Sequence, residues 1–281
     1  MNLEGKVCVI TGATSGIGEV GAQELARLGA RLVLVARDRA RGEATLARLR
    51  ALAPAAAHRV HYADLTRIAE MKRVAAEIAA AEPRIDLLVN NAGALFTARQ
   101  MTGDGLEMHF AVNHMAYFVI TQALRERLVA AGPARVVSTA SGAHYGARLD
   151  LDDLQFARGY RAFQAYQRSK LYNVMWTREV ARRFAGTGVT ANCFHPGFVA
   201  TRYGDRSGGL LSWGVRVAKL FAIPSEKGAR TLVYLAASDE VADVTGGYFY
   251  KCRQMTPSAA AQDDAGARRL WDETARLAGI G

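Results

Sequence analysis

The chain alternates short runs of apolar residues with longer segments in which alanine, leucine and arginine recur at helical spacing. The short runs are almost continuously apolar, which is typical of strands in a parallel sheet that helices cover on both faces. Seven runs are predicted to be strands: Val7–Thr11, Arg31–Ala36, Arg59–Ala63, Asp86–Asn90, Arg135–Thr139, Thr190–Phe194 and Gly247–Tyr250. The alternation predicts an α/β fold with a doubly wound parallel sheet.

The connections between these elements support this assignment. All six prolines lie between predicted elements, where a missing amide donor does no harm. No repeat or linker divides the chain, so residues 1–281 are predicted to form one domain. Two long connections, about 142–162 and 197–224, are predicted substrate loops, because loops at strand ends form the ligand site of such sheets. A last helix, about 259–277, is expected to pack on the domain or on a neighbour.

Composition narrows the class of protein. Half of the 281 residues are hydrophobic and 22% are charged, which excludes disorder for the bulk of the chain. No apolar run approaches the roughly 20 residues that span a bilayer, and the N-terminal residues lack the features of a signal peptide. The three cysteines are an odd number and widely separated, which indicates reduced thiols. These features predict a cytoplasmic location without a membrane anchor.

The net charge of +10 leaves nucleic acid, a membrane surface and a small polyanionic ligand open as partners. The arginines are scattered as single positions through helix-like segments, which favours a solvated basic surface over a nucleic-acid site. The histidines include two close pairs, His58 with His61 and His109 with His114. No carboxylate or thiol stands near them at ligand spacing, so no metal site is predicted.

The first predicted strand leads into a glycine-rich turn, T-G-A-T-S-G-I-G at positions 11–18, where a helical pattern begins. Glycines there let the backbone approach a pyrophosphate, whose charge the helix N-terminus stabilises. The turn lacks the Lys-Ser/Thr ending of a nucleoside-triphosphate loop, and its spacing differs from the most common dinucleotide fingerprint. A tight strand-to-helix turn is the structural alternative.

Three side chains offer acid–base chemistry. Tyr166 and Lys170 stand four residues apart in a helical pattern and therefore project from one face. A free phenol has a pKa of about 10, and a neighbouring ammonium would bring that value nearer neutrality. Ser141 ends the fifth predicted strand, where its hydroxyl can point to the same place. Each feature alone is common, since such Tyr/Lys pairs occur on many helices and Ser before Gly often marks only a turn.

Further polar residues interrupt apolar segments. The fourth predicted strand ends in N-N-A-G at positions 90–93, and Asn113 stands inside an otherwise apolar helical pattern, so these amides need hydrogen-bond partners. H-P-G at positions 195–197 follows the sixth predicted strand, a turn that would redirect the chain beside a bound nicotinamide.

Taken in order, these motifs resemble the short-chain dehydrogenase/reductase family, over the chain from Lys6 to about Tyr250. The resemblance rests on T-G-x-x-x-G-x-G, N-N-A-G, Asn113, Ser141, Y-x-x-x-K from Tyr166, and P-G from position 196. Finer features resemble the retinol-dehydrogenase-like branch: V-N-H at 112–114, S-G-A-H-Y at 141–145, the long spacing from Ser141 to Tyr166, H-P-G at 195–197, and the tail with Tyr248, Phe249, Cys252, Leu270 and Trp271. The resemblance implies a Rossmann-type sheet with strand order 3-2-1-4-5-6-7.

The resemblance implies a role for each catalytic candidate. Tyr166 would be the general acid for carbonyl reduction, and Lys170 would lower its pKa and hold the nicotinamide ribose. Ser141 would hydrogen-bond the substrate oxygen, and Asn113 would maintain a backbone kink and a water that passes protons to Lys170.

The resemblance also implies a cofactor site, with the pyrophosphate on the glycine turn, the adenine beside Asp64 and Leu65, the adjoining ribose at Asn91, and the carboxamide or phosphates at Thr201. The implied cofactor residues are Gly12, Thr14, Ser15, Gly16, Ile17, Gly18, Arg37, Asp64, Leu65, Asn91, Ala92, Gly93, Tyr166, Lys170, Pro196, Gly197, Val199 and Thr201.

The end of the second predicted strand bears on cofactor choice. A carboxylate there binds both ribose hydroxyls of NAD(H), whereas a guanidinium pairs with the 2′-phosphate of NADP(H). Ala36 takes the place expected for the carboxylate and Arg37 follows it, which favours NADP(H) over NAD(H). Asp38 is either a ribose ligand or, as we favour, the N-cap of the next helix.

Aromatic residues cluster in the two long connections and suggest an apolar substrate pocket, although core packing explains any one of them. They are Tyr145, Phe156, Tyr160, Phe198, Tyr203, Trp213 and Phe221. The candidate substrate residues are His144, Tyr145, Phe198, Tyr203 and Trp213.

These features predict an NADP(H)-dependent oxidoreductase that interconverts a lipophilic aldehyde or ketone and its alcohol. One alternative is a non-catalytic dinucleotide-binding sensor or scaffold, which would bind cofactor without turnover. Another is an epimerase or dehydratase, although the chain has little length for a sugar-nucleotide region. The resemblance further implies a homodimer or homotetramer, paired through helices around 113–131 and 162–186.

Overall fold

A computed structural model describes residues 2–197 and 224–280. Its strands are β1 Val7–Thr11, β2 Arg31–Ala36, β3 Arg59–Tyr62, β4 Leu87–Asn90, β5 Ala134–Thr139, β6 Val189–Phe194, β7 Tyr248–Tyr250 and β8 Arg253–Met255. They form one sheet in the order β3-β2-β1-β4-β5-β6-β7-β8. The strands from β1 to β7 pair in parallel, which confirms the predicted fold class and the predicted order of seven strands.

The eighth strand was not predicted. It pairs antiparallel with β7 through a hairpin whose two connecting residues, Lys251 and Cys252, have φ angles of +49° and +60°. All three residues of β8 are exposed, so the strand carries no apolar alternation. Only its pairing with β7 defines it, and a sequence pattern based on burial could not reveal it.

Nine helical segments with α geometry lie in the described ranges. They are α1 Gly16–Arg27, α2 Arg39–Leu52, α3 Ile68–Ala81, α4 Met108–Phe110, α5 Ala116–Ala123, α6 Arg125–Ala130, α7 Ala162–Arg183, α8 Ser225–Ala237 and α9 Asp264–Ala278. A π-helical turn, Ala111–Met115, joins α4 to α5. One apolar layer packs α1 and α8 on the sheet, and the other packs α3, α5 and α7 on the opposite face.

The last helix lies across α5 and α7. Trp271 contacts Phe118 of α5 edge to face, with ring centroids 4.8 Å apart, and Thr274 Oγ1 lies 3.0 Å from His114 Nε2. At the start of α9, Asp264 forms ion pairs with two arginines of α7. α9 thus covers part of the α5 and α7 surface that is expected to pair in an oligomer. An oligomer that forms through these two helices would therefore use the part of their surface that α9 leaves exposed.

None of the helices in residues 2–197 and 224–280 is long and apolar enough to cross a membrane. The long connection before α7 contains two short 3-10 turns, Gly142–Gly146 and Leu151–Asp153. Because β1, β4, β5 and β6 are parallel neighbours, the segments that follow them meet at one edge of the sheet.

Candidate active site

The turn after β1 is fixed by the backbone of the segment after β4. Thr11 Oγ1 accepts hydrogen bonds from the N–H groups of Asn91 and Ala92, each 3.0 Å long. Gly12 has a φ of +69°, and a Cβ atom on it would lie 2.7 Å from Ala92 Cα. Because an L side chain is strained at this φ and has no space here, the position requires glycine.

Asn91 holds the same turn through its side chain. Its Nδ2 donates to Gly12 O (3.1 Å) and Thr11 O (3.3 Å), and its Oδ1 accepts the hydroxyl of Thr139 (3.1 Å). A Cβ atom on Gly18 would clash with both Asn91 Nδ2 and Gly12 O. The amide expected to bind a ribose is therefore already engaged in joining β1, β4 and β5.

The N-terminus of α1 suits an anionic ligand. Ser15 occupies the N-cap position but makes no side-chain capping bond, so the first amides of the helix receive no acceptor from it. Glycine at position 12 brings the backbone close to this end. A pyrophosphate group fits the backbone amides and the dipole at this helix N-terminus, and residues 14–18 would hold it.

The residues after β2 separate the two possible roles of Asp38. Its carboxylate accepts the N–H of Arg41 at 2.9 Å and caps α2, which confirms the N-cap interpretation. Arg37 is exposed beside it, whereas Ala36 is buried. Arg39 lies over the Tyr62 ring at 4.4 Å. Arg37 therefore offers an exposed guanidinium at this edge of the sheet.

The segment after β3 carries the two residues implied for the adenine. Asp64 Oδ1 accepts the N–H of Thr66 at 3.1 Å, which forms a local turn. Leu65 is partly buried and packs against the core. Both lie at the same edge of the sheet as the glycine turn, since β3 follows β2 and β1 in the sheet order.

Tyr166 and Lys170 lie on α7, and Lys170 reaches back to the sheet. Its ammonium nitrogen donates to Thr139 O at 3.0 Å and lies 5.8 Å from the centre of the Tyr166 ring. The Lys170 side chain is buried, and burial lowers its pKa to about 7. The positive charge expected beside Tyr166 is therefore pH-dependent near neutrality.

Asn113 lies in the π-helical turn and joins three segments. Its Oδ1 accepts Ala94 N–H (2.8 Å), while its Nδ2 donates to Ala94 O and to Ser169 Oγ, each at 3.0 Å. A Cβ atom on Gly93 would lie 3.1 Å from Asn113 Oδ1 and 3.4 Å from Lys170 Nζ. Asn113, Lys170 and the glycine of N-N-A-G thus meet at one place.

Ser141 begins the 3-10 turn that follows β5. Its Oγ accepts the N–H of Ala143 at 3.1 Å, and the turn contacts α7 where Gln167 Nε2 donates to Ala143 O at 3.3 Å. Gln167 is the residue next to Tyr166, so this contact brings the serine turn to the tyrosine. The structure places all four catalytic candidates around the carboxyl ends of β4 and β5.

Two candidate substrate residues in this turn make structural contacts. His144 is fully buried; its Nδ1 lies 2.8 Å from Ser141 O, and its Nε2 accepts Ser258 N–H at 3.1 Å. A substrate contact through the ring would require the loss of one of these bonds. Tyr145 is 49% exposed, and its hydroxyl donates to Thr256 O at 2.6 Å.

The H-P-G turn follows β6. His195 lies parallel to the Tyr250 ring, 4.0 Å between centroids, and its Nδ1 is 2.5 Å from the Tyr248 hydroxyl. Burial lowers the pKa of His195 to about 4, so the ring is neutral at physiological pH. Pro196 and Gly197 follow it, half-buried. Val199, Thr201, Phe198, Tyr203 and Trp213 lie outside the described residues.

Four residues that shape the site received no role from the sequence. Thr11 and Thr139 orient Asn91 and Lys170, and Glu107 and His109 form a buried pair beside Tyr166. Polar residues at the ends of buried strands, and charged residues directly before an apolar helix, are the signals that point to them. Among the described residues, no group of three or more histidines, cysteines and carboxylates could hold a metal ion.

Comparisons with known proteins agree with this geometry. Residues 6–208 match the profile described as short chain dehydrogenase, and the chain belongs to that family. Human retinol dehydrogenase 13 is 38% identical over 284 residues, which cover 99% of this chain and 86% of that protein. Mouse retinol dehydrogenase 12 is 38% identical over 280 residues, covering 100% and 88%. Within the family, the chain lies in the retinol-dehydrogenase-like branch, as its motifs predicted.

Solved structures show the same fold. A protein from Mycobacterium paratuberculosis superposes with a TM-score of 0.79 at 30% identity, covering 99% of this chain and 95% of that one. The Pseudomonas aeruginosa RhlG/NADP active-site complex superposes with a TM-score of 0.68 at 27% identity, covering 88% and 95%. The chain is therefore an oxidoreductase of a family that binds nicotinamide dinucleotides.

Proposed function

We propose that this protein is an NADP(H)-dependent oxidoreductase that interconverts a lipophilic aldehyde or ketone and its alcohol. The observation that carries the proposal is the meeting of Tyr166, Lys170 and the Ser141 turn at the edge of the sheet that also holds the glycine turn. The relatives named retinol dehydrogenases support a lipophilic alcohol or carbonyl compound as substrate. The direction of the reaction would follow the ratio of reduced to oxidised cofactor.

In the proposed reaction each catalytic side chain has one task. The bound cofactor supplies a hydride to the carbonyl carbon. Tyr166 donates its phenolic proton to the carbonyl oxygen, which becomes the hydroxyl of the product. Ser141 donates a hydrogen bond to the same oxygen and stabilises the negative charge that develops there. Lys170 in its charged form favours the phenolate that Tyr166 becomes.

Asn113 would act through structure rather than through contact with the substrate. Its two bonds to Ala94 and its bond to Ser169 hold the π-helical turn against the segment after β4 and against α7. This arrangement keeps Lys170 beside Gly93, where the cofactor ribose would lie. We propose for it the role that the resemblance implies, which is to maintain the backbone kink and a water that passes protons to Lys170.

NADP(H) is favoured by the residues after β2. Asp38 Oδ1 accepts the Arg41 N–H and caps α2, which favours a structural role for this carboxylate over ribose binding. Arg37 is exposed and can pair with a 2′-phosphate in two hydrogen bonds. The relative solved with NADP supports the same choice.

The remaining predictions extend this proposal. All described strands belong to one sheet, which supports a single cofactor-binding and catalytic domain. His144, Tyr145, Phe198, Tyr203 and Trp213 remain proposed substrate residues, and a cytoplasmic location and a homo-oligomer remain predictions. Light scattering of the purified protein tests the oligomer, and detection of monomer alone would contradict it.

The test is consumption of NADPH with a panel of lipophilic aldehydes and ketones, with NADH in parallel. We expect Tyr166→Phe to lower kcat by about 10²–10⁴-fold, because it removes the proton donor, and to change the Kd of NADPH far less than kcat. Tyr234→Phe is the matched control, since Tyr234 lies on α8 and its hydroxyl donates to Glu240 at the protein surface. Tight NADPH binding without turnover of any carbonyl would favour the sensor hypothesis.

A further inference from the structure

A buried carboxylate and a buried imidazole lie beside the proposed proton donor. Glu107 is 2% exposed and His109 is fully buried, and Glu107 Oε1 lies 2.7 Å from His109 Nδ1. Neither residue has a role in the reaction proposed above. A buried charged group destabilises the fold unless it is paired and hydrogen-bonded. The hydrogen-bond partners of Glu107 and His109 therefore indicate which parts of the protein the pair holds in place.

Both ring nitrogens of His109 have defined partners. Nε2 accepts the N–H of Phe96 at 2.9 Å, so in the neutral ring Nδ1 carries the proton and donates it to Glu107. Rotation of the ring about its bond to Cβ would break both bonds. The plane of the imidazole is therefore fixed from two sides.

Glu107 is hydrogen-bonded both to α4 and to the connection before α7. Its carboxylate also accepts Phe110 N–H (3.0 Å) and the Tyr160 hydroxyl (3.2 Å), and its own N–H donates to Gln155 Oε1 (2.6 Å). Burial alone would raise the pKa of Glu107, but the interactions with His109 and the backbone amides hold it below its ordinary value. An ionised carboxylate thus ties the connection before α7 to the start of α4.

The fixed imidazole contacts the ring of Tyr166. The two rings meet edge to face, with centroids 6.2 Å apart and planes inclined by 66°. The Phe96 ring contacts His109 in a similar way at 5.2 Å, and Phe163 stacks with Tyr166 at 6.3 Å. His109 is therefore one of the ring neighbours of the phenol, and among these it is the one whose orientation is set by two hydrogen bonds.

We propose that Glu107 and His109 are positioning residues for Tyr166: the pair fixes the imidazole ring against which the phenol packs, and it holds the Phe96 backbone beside it. The inference rests on the proposed function, because the orientation of this phenol matters when it transfers a proton. A misplacement of reacting groups by about 1 Å can lower a rate by about 10²-fold.

The first test replaces the imidazole with an apolar side chain. In His109→Leu we expect kcat to fall by about tenfold or more, since the phenol loses its fixed neighbour, while the Kd of NADPH stays within about twofold. His109→Gln is the conservative variant, because its amide can donate to Glu107 and accept from Phe96 N–H. We expect it to restore kcat to within about threefold of the wild type.

The matched control is His58→Leu. His58 is also buried, and its Nδ1 accepts a backbone N–H, that of Leu32 at 3.0 Å, but it lies between α2 and β3. We expect this variant to lose thermal stability and keep its kcat. A His109→Leu protein that is folded, binds NADPH and keeps the wild-type kcat would overturn the proposal, because its role would then be the same as that of His58.

A second variant covers the case in which His109→Leu does not fold. Tyr160→Phe removes one donor from Glu107, together with the longer bond of the same hydroxyl to Ala98 O (3.4 Å), and leaves both bonds of the His109 ring to Glu107 and Phe96 in place. A kcat lowered by about two- to fivefold at unchanged NADPH affinity supports the positioning role, and an unchanged kcat overturns it.

A measurement without turnover separates this inference from the proposed function. Fluorotyrosine at position 166 reports the surroundings of the phenol by fluorine NMR. We expect its resonance to move in His109→Leu, to move less in His109→Gln and to stay unchanged in His58→Leu. If the wild type reduces no carbonyl compound, the proposed function fails while this shift still decides the positioning role. An unmoved resonance would overturn it.

Discussion

The glycine turn after β1 and the cluster around Tyr166 lie at one edge of the same sheet but are held together differently. In the turn, glycines at positions 12 and 18 let main chains approach, and a threonine hydroxyl and an asparagine amide bind main-chain atoms. Around Tyr166, buried polar side chains bond to one another, as His109 does to Glu107 and Asn113 to Ser169, and also to main-chain groups such as Ala94 O and Phe96 N–H. The first region depends on space for the backbone, and the second depends on buried polar partners.

This difference has an energetic consequence. The cluster around Tyr166 contains a buried lysine and a buried carboxylate, which stabilise the fold less than apolar residues would. The glycine turn contains no buried charge, and its cost lies in conformational freedom. Replacement of the buried lysine by an apolar residue is thus expected to lower activity and raise stability, whereas substitutions in the glycine turn are expected to lower both.

The largest expected effect is that of Lys170→Met. Turnover should fall by about 10²–10⁴-fold, because the charge that supports proton transfer is lost. The free energy of unfolding should rise. Burial holds the pKa of Lys170 at about 7, below its ordinary 10.5, so the unfolded chain binds more protons than the folded one between these values. The advantage of the variant is largest below pH 7 and disappears as the pH rises through 10.5.

Urea unfolding at several pH values measures this difference. Its size is on the order of a few kcal/mol below pH 7, from about 1.4 kcal/mol for each unit of pKa shift. Lys227→Met, on the exposed face of α8, is the control and should show no such pH dependence. A Lys170→Met protein less stable than the wild type at neutral pH would contradict the contrast between the two regions.

Gly18→Ala is expected to have the next largest effect. Its Cβ would clash with Gly12 O and Asn91 Nδ2, so the turn must open. Overpacking of this kind costs about 1–3 kcal/mol, which corresponds to about five- to 150-fold in the Kd of NADPH. Isothermal titration measures the change. Gly21→Ala on the same helix faces only the end of Leu232 and should bind NADPH normally; equal losses in both variants would show that helix α1, rather than the turn, is sensitive.

Arg37→Ser tests the residues after β2 that are proposed to select the cofactor. If Arg37 binds the 2′-phosphate, its loss should raise the Kd of NADPH about tenfold, since a hydrogen bond to a charged group contributes about 1.5–3 kcal/mol and this one is exposed to solvent. The Kd of NADH should stay unchanged. Arg50→Ser, at the other end of α2, serves as control. Equal weakening of both cofactors would remove Arg37 from phosphate recognition.

The smallest expected effect is that of Asp38→Ala. Loss of the N-cap of α2 should lower the free energy of unfolding by about 1 kcal/mol, measured by urea denaturation. The ratio of NADPH to NADH affinity should remain as in the wild type, and Asp38→Asn should retain most of the stability. A selective loss of NADH binding in Asp38→Ala would instead make Asp38 a ribose ligand.

The sequence was sufficient for the parts of the molecule that local patterns specify. Continuous apolar runs marked β1 to β7, and the glycine spacing marked the turn, because both signals depend on residues close in sequence. β8 was not predicted, because its three residues are exposed and show no apolar pattern. Thr139 escaped for a different reason: its carbonyl oxygen binds Lys170, 31 positions further along the chain, and no spacing rule connects them.

By itself, the sequence determined the fold class, the strand order and the family, because these follow from periodicity and from ordered motifs. Only the tertiary structure decided which groups are engaged. It assigned Asp38 to the cap of α2, Asn91 to the glycine turn, and His109 to Glu107 and Phe96. The physical reason is that hydrogen bonding and desolvation depend on distances between atoms that chain folding alone brings together.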